Sequence, residues 1–401
     1  MKTRLLSFKS LLLICVLAIV GGAQAWAQTY TYKLVDDGEI VDGGVYLLAN
    51  TCEYGSSNAK KQQSIAMGEA STNNRKAVVV TISDDNKITL STVNQSGAPY
   101  EVIAVKTADG FKFKLSNGSF LANRRTKKSK SGYNNYLKEA DADAEGVVFS
   151  VVFKSSDKTF KLSNTYKNIE SSLQLNVNAG NNQLVSCYGN TQTDPQLYRK
   201  VTSTSITDAG YSTYYGDDAF FMPTGVTGSV VVKDGEGIAL KESYTEGALV
   251  PAKTALVLKA TKGNYDFYLG SSDEVAPTDN LLHGTTTDAL TNAGEGSYKY
   301  YKLSYDDNDE NLGFYWSEEN GAAFTNKAGK AYLALPVAEG QSMAKGYSLF
   351  DLANGTTTGI QQATIATAVA PIYDINGRRV STLNGAAKGV YIVGGKKVMV
   401  K

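Results

Sequence analysis

A literal internal repeat limits the folds open to this chain. Phe113-Lys114-Leu115-Ser116-Asn117 recurs as Phe160-Lys161-Leu162-Ser163-Asn164, 47 residues further along the sequence. Each copy is followed by a related segment, Phe120-Leu121-Ala122-Asn123 after the first and Leu173-Gln174-Leu175-Asn176 after the second. Self-similarity at a fixed period indicates a fold built from repeated supersecondary units.

An earlier, related segment is Tyr46-Leu47-Leu48-Ala49-Asn50, so strand starts near residues 46, 120 and 173 predict three similar units. Units of about four strands at this spacing are typical of a β-trefoil. We interpret Ala77 to Ser91 as a hairpin added to the long first unit, and Gln196 to Val201 as the last strand of the third. Residues 28–201 are therefore predicted to form a β-trefoil-like domain, with a generic β-barrel or sandwich as the alternative.

The rest of the chain has no convincing helical pattern either. Short alternating apolar runs are bounded by Gly, Asn, Asp and Ser, and the sequence has 38 Gly but only 7 Pro. This pattern predicts an all-β protein. In residues 202–355 the strands recur about every eight to twelve residues, which predicts a β-sandwich domain.

The N-terminus predicts export. Three basic residues and no acidic residue lie in the first ten positions, and Leu11 to Val20 is an unbroken apolar run. Ala25-Trp26-Ala27 then has the A-x-A form that a signal peptidase reads. A transmembrane helix needs about 20 apolar residues, twice the length of this run. Residues 1–27 are therefore predicted to be a signal peptide, leaving a mature chain with no transmembrane span.

Removal of the signal peptide leaves 37 basic and 39 acidic residues, a net charge of about −2. No global positive field then attracts nucleic acid, and no nucleic-acid partner is expected. Two cysteines remain, Cys52 and Cys187. They could form a disulfide in an oxidising compartment, and two unpaired buried thiols are the alternative.

The mature chain carries few candidates for catalysis. Its one histidine, His283, excludes a zinc site built from two or three histidines, and we interpret it as an exposed turn residue. No phosphate-binding G-x-x-x-x-G-K loop occurs. The sequence has two acidic clusters, and neither has the spacing of a calcium-binding loop. The first is Asp141, Asp143 and Glu145, and the second is Asp306, Asp307, Asp309 and Glu310. The sequence thus predicts no catalytic residue, no metal and no cofactor, and a secreted hydrolase that uses two carboxylates is the alternative.

One short stretch concentrates positive charge. Five basic residues fall within seven positions and are followed by two tyrosines: Arg124, Arg125, Lys127, Lys128, Lys130, Tyr133 and Tyr136. Cations beside aromatic rings suit an anionic ligand such as a sulfated or uronic-acid glycan. We interpret these seven residues as a ligand-binding loop; a solvated loop between two strands is the alternative.

The C-terminal part begins with a low-complexity segment. Residues 356–370 are rich in Ala, Thr and Gln and are predicted to be a linker. Residues 371–401 are predicted to form four strands. Pro371 to Val380 contains two of them around an Asn-Gly turn, Lys388 to Val393 is the third, and Lys396 to Lys401 is the fourth.

This tail resembles the C-terminal sorting domain of cargo of the type IX secretion system in Gram-negative gut and oral bacteria. The positions that carry the resemblance are Tyr373, Gly377, Arg378, Gly389, Tyr391, Lys396 and Lys397. The resemblance implies recognition by the outer-membrane secretion machinery and a location at the outer cell surface or beyond. The tail is shorter than the complete small β-sandwich that is usual in this family.

Two further segments resemble accessory modules of secreted proteins from the same bacteria. Val250-Pro251-Ala252-Lys253-Thr254 and Gly329-Lys330-Ala331-Tyr332-Leu333 are similar to a β-sandwich module, and residues 28–201 are similar to trefoil-like modules. The sequence as a whole predicts a non-catalytic surface or secreted protein that binds a glycan or another anionic polymer. A protein-binding adhesin or scaffold is a further alternative to the hydrolase.

Overall fold

The computed structural model describes residues 29–55, 59–177, 183–235, 237–306, 311–338 and 342–355, together with the backbone of four short strands after residue 371. The predicted signal peptide 1–27 and the predicted linker 356–370 lie outside the described residues. Strands account for 53% of the structure and helices for 3%, which confirms the all-β prediction.

The first sixteen strands cover the region of the sequence repeat and run slightly past it. They are β1 (Tyr30–Leu34), β2 (Val45–Tyr54), β3 (Lys61–Ala70), β4 (Arg75–Val79), β5 (Lys87–Leu90), β6 (Val102–Thr107), β7 (Gly110–Lys114), β8 (Phe120–Asn123), β9 (Thr126–Lys127), β10 (Tyr133–Asn134), β11 (Leu137–Ala140), β12 (Ser150–Lys154), β13 (Thr159–Tyr166), β14 (Ile169–Asn176), β15 (Leu184–Tyr188) and β16 (Gln196–Ile206).

Fourteen strands follow in the region predicted to be a sandwich. They are β17 (Tyr211–Tyr214), β18 (Ala219–Phe221), β19 (Thr227–Asp234), β20 (Gly237–Tyr244), β21 (Leu249–Val250), β22 (Leu256–Lys259), β23 (Gly263–Gly270), β24 (Leu282–Thr285), β25 (Ala289–Leu290), β26 (Tyr298–Tyr305), β27 (Leu312–Trp316), β28 (Thr325–Asn326), β29 (Lys330–Pro336) and β30 (Gly346–Ser348). A 3-10 turn at Glu319–Gly321 and the short helix α1 (Leu349–Asn354) are the helical elements of the described residues.

The chain divides into two compact units, one of residues 1–229 and 242–278 and the other of residues 230–241 and 279–401. The predicted domain boundary between residues 201 and 202 lies inside β16. The first half of this strand pairs with β2, and residues Val201 to Ile206 pair with β23. This long strand explains why residues 242–278 belong to the first unit.

Six strands of the first unit follow one another in a ring of antiparallel contacts. β16 pairs with β2, β2 with β6, β6 with β7, and β12 with β13. A bridge between Phe111 and Phe149 joins the β7 hairpin to the segment entering β12. The backbone N–H of Phe160 donates to the carbonyl of Pro195 at 2.8 Å, just before β16, and completes the ring.

Three further pairs leave this ring: β3 with β4, β8 with β11, and β14 with β15. These pairings correct two details of the sequence interpretation. In the ring, β2 occupies the position that is equivalent to β7 and β13 of the other two units. The strand of the first unit that corresponds to β8 and β14 is therefore β3, and not the segment Tyr46 to Asn50. Ala77 to Ser91 is not a hairpin, because β4 pairs with β3 and β15 while β5 pairs with β1.

The predicted last strand of the third unit is present as the first half of β16. Side chains at alternate positions of the ring strands point into one core, as the period of two along a strand requires. The core includes Tyr46, Leu48, Phe113, Phe149, Phe160, Leu162 and Leu197, all fully buried. Burial of one such side chain stabilises the fold by roughly 1.5–3 kcal/mol.

Cys52 and Cys187 are both free and belong to this same core. Cys52 lies on β2 opposite Gln63, and Cys187 lies on β15 opposite Leu173. Both thiols are unpaired in the structure, as in the alternative to a disulfide, and both pack among apolar side chains of this core. Burial raises the pKa of both thiols, which keeps them protonated.

The second unit contains a five-stranded sheet in the order β24-β29-β26-β27-β30. The predicted hairpin around Asp306 is confirmed, because β26 and β27 pair over Tyr301 to Tyr305 and the N–H of Asp306 donates to Asn311 O at 2.9 Å. Helix α1 begins after Ser348, whose hydroxyl accepts a hydrogen bond from the N–H of Asp351 at 3.1 Å.

The tail has the four predicted strands, β31 (Ile372–Asp374), β32 (Arg379–Val380), β33 (Gly389–Val393) and β34 (Lys396–Val400). They form one antiparallel sheet in the order β32-β31-β33-β34. Tyr373, Gly389, Tyr391, Lys396 and Lys397 lie on these strands, and the Tyr391 side chain is buried. Gly377 and Arg378 lie outside the described residues.

Candidate functional site

The predicted basic loop is a small β-hairpin inserted between β8 and β11. Its two strands, β9 and β10, pair through Lys127 with Tyr133 and through Thr126 with Asn134. The N–H of Lys128 donates to the carbonyl of Gly132 at 3.0 Å, and Gly132 has φ +79°. The left-handed backbone at this position favours glycine and closes the turn. We call residues 127–133 the lysine tip.

Arg124 is bonded into the base of the hairpin and does not belong to its tip. Its Nη1 donates to the carbonyl of Asn123 at 2.8 Å and to the carbonyl of Glu145. Its guanidinium carbon lies 4.9 Å from the centre of the Tyr166 ring. These contacts occupy the guanidinium group within the protein, so Arg124 anchors the hairpin.

Arg125 is a second anchor at the hairpin base. Its Nε donates to Asn135 Oδ1 and its Nη1 to the carbonyl of Glu170, both at 3.1 Å. The guanidinium carbon lies 4.0 Å from the centre of the Tyr133 ring. A Cβ atom on Gly189 would lie 2.9 Å from the guanidinium nitrogens, so Gly189 leaves room for this side chain.

The three lysines differ from the two arginines. Lys127, Lys128 and Lys130 are exposed, and their ammonium groups form no salt bridge within the described part of the chain. Tyr133, opposite Lys127, is 42% exposed. The tip thus presents three positive charges and one aromatic face to solvent.

Tyr136 lies at the base of the hairpin. Its carbonyl accepts the N–H of Arg124 at 3.1 Å, and the Lys138 ammonium lies 6.0 Å from its ring centre. Of the seven residues predicted to bind a ligand, the structure therefore brings Lys127, Lys128, Lys130 and Tyr133 to the surface of the tip. Arg124, Arg125 and Tyr136 support it from below.

A cavity of about 210 Å³ elsewhere in the first unit was not predicted. Its wall combines charged, polar and apolar residues from segments distant in sequence. They are Val45, Asn94, Glu101, Ile103, Ser116, Lys200, Asp218, Leu269, Gly270 and Ser271. No motif marks these positions, because Glu101, Lys200 and Asp218 lie far apart in the sequence and only the fold brings them together.

An ion pair lies in the wall of this cavity. Lys200 Nζ is 3.0 Å from Glu101 Oε1, and the two side chains are only 10% and 11% exposed. Glu101 also accepts hydrogen bonds from the hydroxyl of Tyr32 and from Asn94 Nδ2, the latter at 2.7 Å. Burial, followed by the charge of Glu101, raises the pKa of Tyr32 and keeps this hydroxyl a donor.

His283 was predicted to be an exposed turn residue, and this is wrong. It lies on β24 opposite Tyr332 of β29, is half-buried, and stacks on the Tyr332 ring with 6.0 Å between ring centres. The sequence did not show that the short run Leu282–Thr285 pairs with the buried strand β29. Burial lowers the pKa of His283.

We expect His283 to make the stability of the second unit depend on pH. Its folded-state pKa is below the unfolded value of about 6.5, so the unfolded chain takes up the proton first as the pH falls. Stability should therefore be highest above about pH 7 and decrease as the pH falls through the folded-state pKa. His283→Gln should flatten this dependence in urea unfolding followed by the fluorescence of Trp316, which lies in the same sheet. An unchanged pH dependence in the variant would contradict the prediction.

Asp307, Asp309 and Glu310 of the second acidic cluster lie outside the described residues. Within the described residues, no three His, Cys, Asp or Glu side chains are grouped so that they could hold a metal ion. Over the same residues, no helix is both long and apolar enough to cross a membrane.

Comparison with known proteins adds no family. Protein-family models show no match to the sequence, and curated proteins show none either.

Proposed function

We propose that this chain is an exported, non-catalytic protein that binds an anionic glycan or a related anionic polymer at the cell exterior through the lysine tip. One observation carries the proposal. Lys127, Lys128 and Lys130 are exposed and form no salt bridge within the described residues, whereas Arg124 and Arg125 hold the base of the same hairpin.

The exposure of the tip favours a polymer over a small anion. An exposed charge pair contributes only about 0.2–1 kcal/mol, because water screens it. Useful affinity at such a tip therefore needs several contacts at once. A chain of repeated carboxylate or sulfate groups can engage all three lysines, and the exposed ring of Tyr133 can pack against a sugar face.

The two arginine anchors support this function without contacting the ligand. They fix the hairpin base through hydrogen bonds to carbonyl groups and to the Asn135 side chain. A tip that is already ordered loses less conformational entropy when a ligand binds.

We also propose that the repeat region is a β-trefoil. Equivalent positions of the ring strands are paired in the same register in each of three units. The first residue of each equivalent pair contacts the strand on one side of it: Tyr46 contacts Val102, Phe111 contacts Phe149, and Phe160 contacts Pro195. The residue two positions later pairs with the strand on the other side: Leu48 with Leu197, Phe113 with Ala104, and Leu162 with Val151. Residues 202–355 are proposed to be of β-sandwich type, with residues 202–229 and 242–278 grouped in the first unit and the remainder in the second.

Export is proposed on sequence grounds. The basic and apolar N-terminus with its A-x-A site supports passage through the inner membrane. The tail of residues 371–401 supports recognition by an outer-membrane secretion machinery and a final location at the outer cell surface or outside the cell.

The test uses the mature full-length protein and three immobilised polymers, heparin, polygalacturonate and neutral dextran. We expect binding to a charged polymer and not to dextran, with affinity that falls as salt rises. Changing Lys127, Lys128 and Lys130 to Ser should weaken binding roughly tenfold, since three contacts of about 0.5 kcal/mol each are lost.

A matched control changes Lys60, Lys154 and Lys262 to Ser. These lysines are also exposed, but each is already paired with an acidic residue. The control removes the same charge and should bind nearly as tightly as the unchanged protein. Equal weakening in both triple variants, or no weakening in the first, would remove the site from the lysine tip.

The hydrolase alternative has one observation in its favour, because Glu101 and Asp218 line the same cavity. Glu101, however, accepts hydrogen bonds or an ion pair from Tyr32, Asn94 and Lys200. These contacts already occupy both carboxylate oxygens of Glu101, whereas glycoside cleavage requires a carboxyl group that is free to transfer a proton to the substrate. We therefore propose binding of an anionic polymer, and not hydrolysis, as the function.

A further inference from the structure

We infer that the cavity between Lys200 and Asp218 is a second ligand site, and that it binds a neutral polyhydroxylated molecule of about monosaccharide size. This site shares no residue with the lysine tip, and the inference does not rest on the function proposed for the tip.

The fixed part of the site is the Lys200–Glu101 ion pair. Tyr32 and Asn94 hold Glu101 in place, and Glu101 in turn positions Lys200. The Lys200 ammonium has three donor hydrogens. It pairs with Glu101 and faces the Tyr30 ring at 4.8 Å, which leaves donor capacity for a hydroxyl of a ligand in the cavity.

The variable part of the site consists of groups that have no hydrogen-bond or ion-pair partner among the described residues. Asp218 is exposed, and its carboxylate forms no hydrogen bond or ion pair among the described residues. The hydroxyls of Ser116 and Ser271 also line the cavity and make no hydrogen bond within the described chain. A carboxylate can accept two hydroxyl hydrogens of a ligand, and the serines can donate or accept.

The apolar part of the wall comes from Val45, Ile103 and Leu269. Such a surface suits the C–H face of a sugar ring. The wall carries the Lys200 ammonium and the carboxylates of Glu101 and Asp218, so an anionic ligand would meet two like charges and a cationic ligand would meet one. Donors, acceptors and an apolar wall together match a neutral polyol.

The size of the cavity limits the ligand. A volume of about 210 Å³ lies below the roughly 300–1,000 Å³ that is usual for drug-sized ligands. One small molecule fits this space, whereas a longer glycan would have to extend out of it. The inference is therefore limited to a monosaccharide or the end unit of a chain.

The test measures binding of glucose, galactose and mannose to the mature protein by ligand-observed NMR and calorimetry. Methylammonium and glucuronate serve as charged probes. Concentrations up to about 50 mM cover the ~1 mM Kd expected for an interaction of about −4 kcal/mol. We expect saturable binding of at least one neutral sugar and weaker binding of both charged probes.

Two variants locate the site without disturbing the ion pair. Asp218→Asn removes an exposed charge, and Ser271→Leu fills the cavity; each should weaken sugar binding about tenfold or more. Unchanged circular dichroism and urea midpoint show that each variant is folded. The Lys127, Lys128 and Lys130 triple variant should bind the sugar normally. No saturable sugar binding, preference for a charged probe, or binding unaffected by both folded variants would overturn the inference.

Discussion

Arg75→Met should lower the free energy of unfolding of the first unit by about 3 kcal/mol. Arg75 is 1% exposed; its Nε donates to the carbonyl of Gly68 at 2.9 Å, and its Nη1 pairs with Glu139. The guanidinium carbon also lies 4.9 Å from the centre of the Tyr100 ring. Breaking a buried ion pair from one side typically costs about 3–5 kcal/mol, because the remaining groups lose their partner.

We expect the lower end of this range for Arg75→Met. Glu139 is 28% exposed and keeps hydrogen bonds from Asn117 and Ser119, so water and these donors can still stabilise its charge. The free energy of unfolding would be measured by urea denaturation followed by circular dichroism. The double variant Arg75→Met, Glu139→Gln should lose much less free energy of unfolding than Arg75→Met alone, because the double variant has no uncompensated Glu139 charge.

Lys76→Met is the matched control, because Lys76 is the next residue and also forms an ion pair. That pair, with Glu69, joins side chains that are 58% and 23% exposed. Its removal should change stability by no more than about 0.5 kcal/mol. A similar loss for the variants at positions 75 and 76 would show that burial of Arg75 does not determine the effect.

Gly110→Ala should be at least as harmful, with a loss of about 3–5 kcal/mol. Gly110 has φ +145°, and an added Cβ would lie 2.1 Å from the carbonyl oxygen of Phe149. That oxygen accepts the N–H of Phe111 at 2.9 Å, and the reverse bond is 2.8 Å long. An alanine would separate the two backbones at the point where the ring of strands is joined. The estimate combines about 1–3 kcal/mol of backbone strain with the loss of two hydrogen bonds of about 1 kcal/mol each.

Gly118→Ala provides the comparison in the turn at the other end of β7. Gly118 also has positive φ, +86°, but nothing lies within 4 Å of an added Cβ. Only the backbone strain remains, so we expect a loss of about 1 kcal/mol. Thermal or urea unfolding of the two variants separates strain from steric contact. Equal losses would mean that the approach of Phe149 to Gly110 is unimportant.

Much of the secondary structure could be predicted because its signals are local. Alternating apolar residues bounded by turn formers predicted the all-β class, and the hairpin of β26 and β27 followed from two aromatic runs around an acidic turn. The four tail strands were predicted for the same reason. Charge composition alone also located the hairpin that carries Lys127, Lys128 and Lys130.

The sequence could not divide the basic residues by role. Arg124 and Lys127 each contribute one positive charge to the same short segment. In the structure, Arg124 contacts Glu145 and Tyr166 in other parts of the fold, whereas Lys127 is exposed to solvent. Those partners lie roughly twenty and forty residues away. Partner choice at such separations depends on strand pairing, which a local pattern does not specify.

The repeat shows the same limit. The segment Tyr46 to Asn50 is similar to the later segments in sequence. In the structure, however, β2 pairs as β7 and β13 do, because Tyr46 pairs with Val102 and Leu48 with Leu197 on the two adjacent ring strands. His283 was misplaced because Tyr332, its partner across the sheet, lies 49 residues away. Similarity between short segments does not determine which of two neighbouring strands in a unit a segment corresponds to.

Neighbouring residues determine the strand-forming segments, their turns and the concentration of positive charge, so the sequence alone could predict them. The predicted export and sorting signals also rest on neighbouring residues. Burial of Arg75 and of the two thiols, and the cavity of Glu101, Lys200 and Asp218, arise from residues that pair across the sheet at separations of tens to over a hundred positions. Long-range pairing is selected by the packing of the whole core, which buries some charges beside partners and leaves others in water.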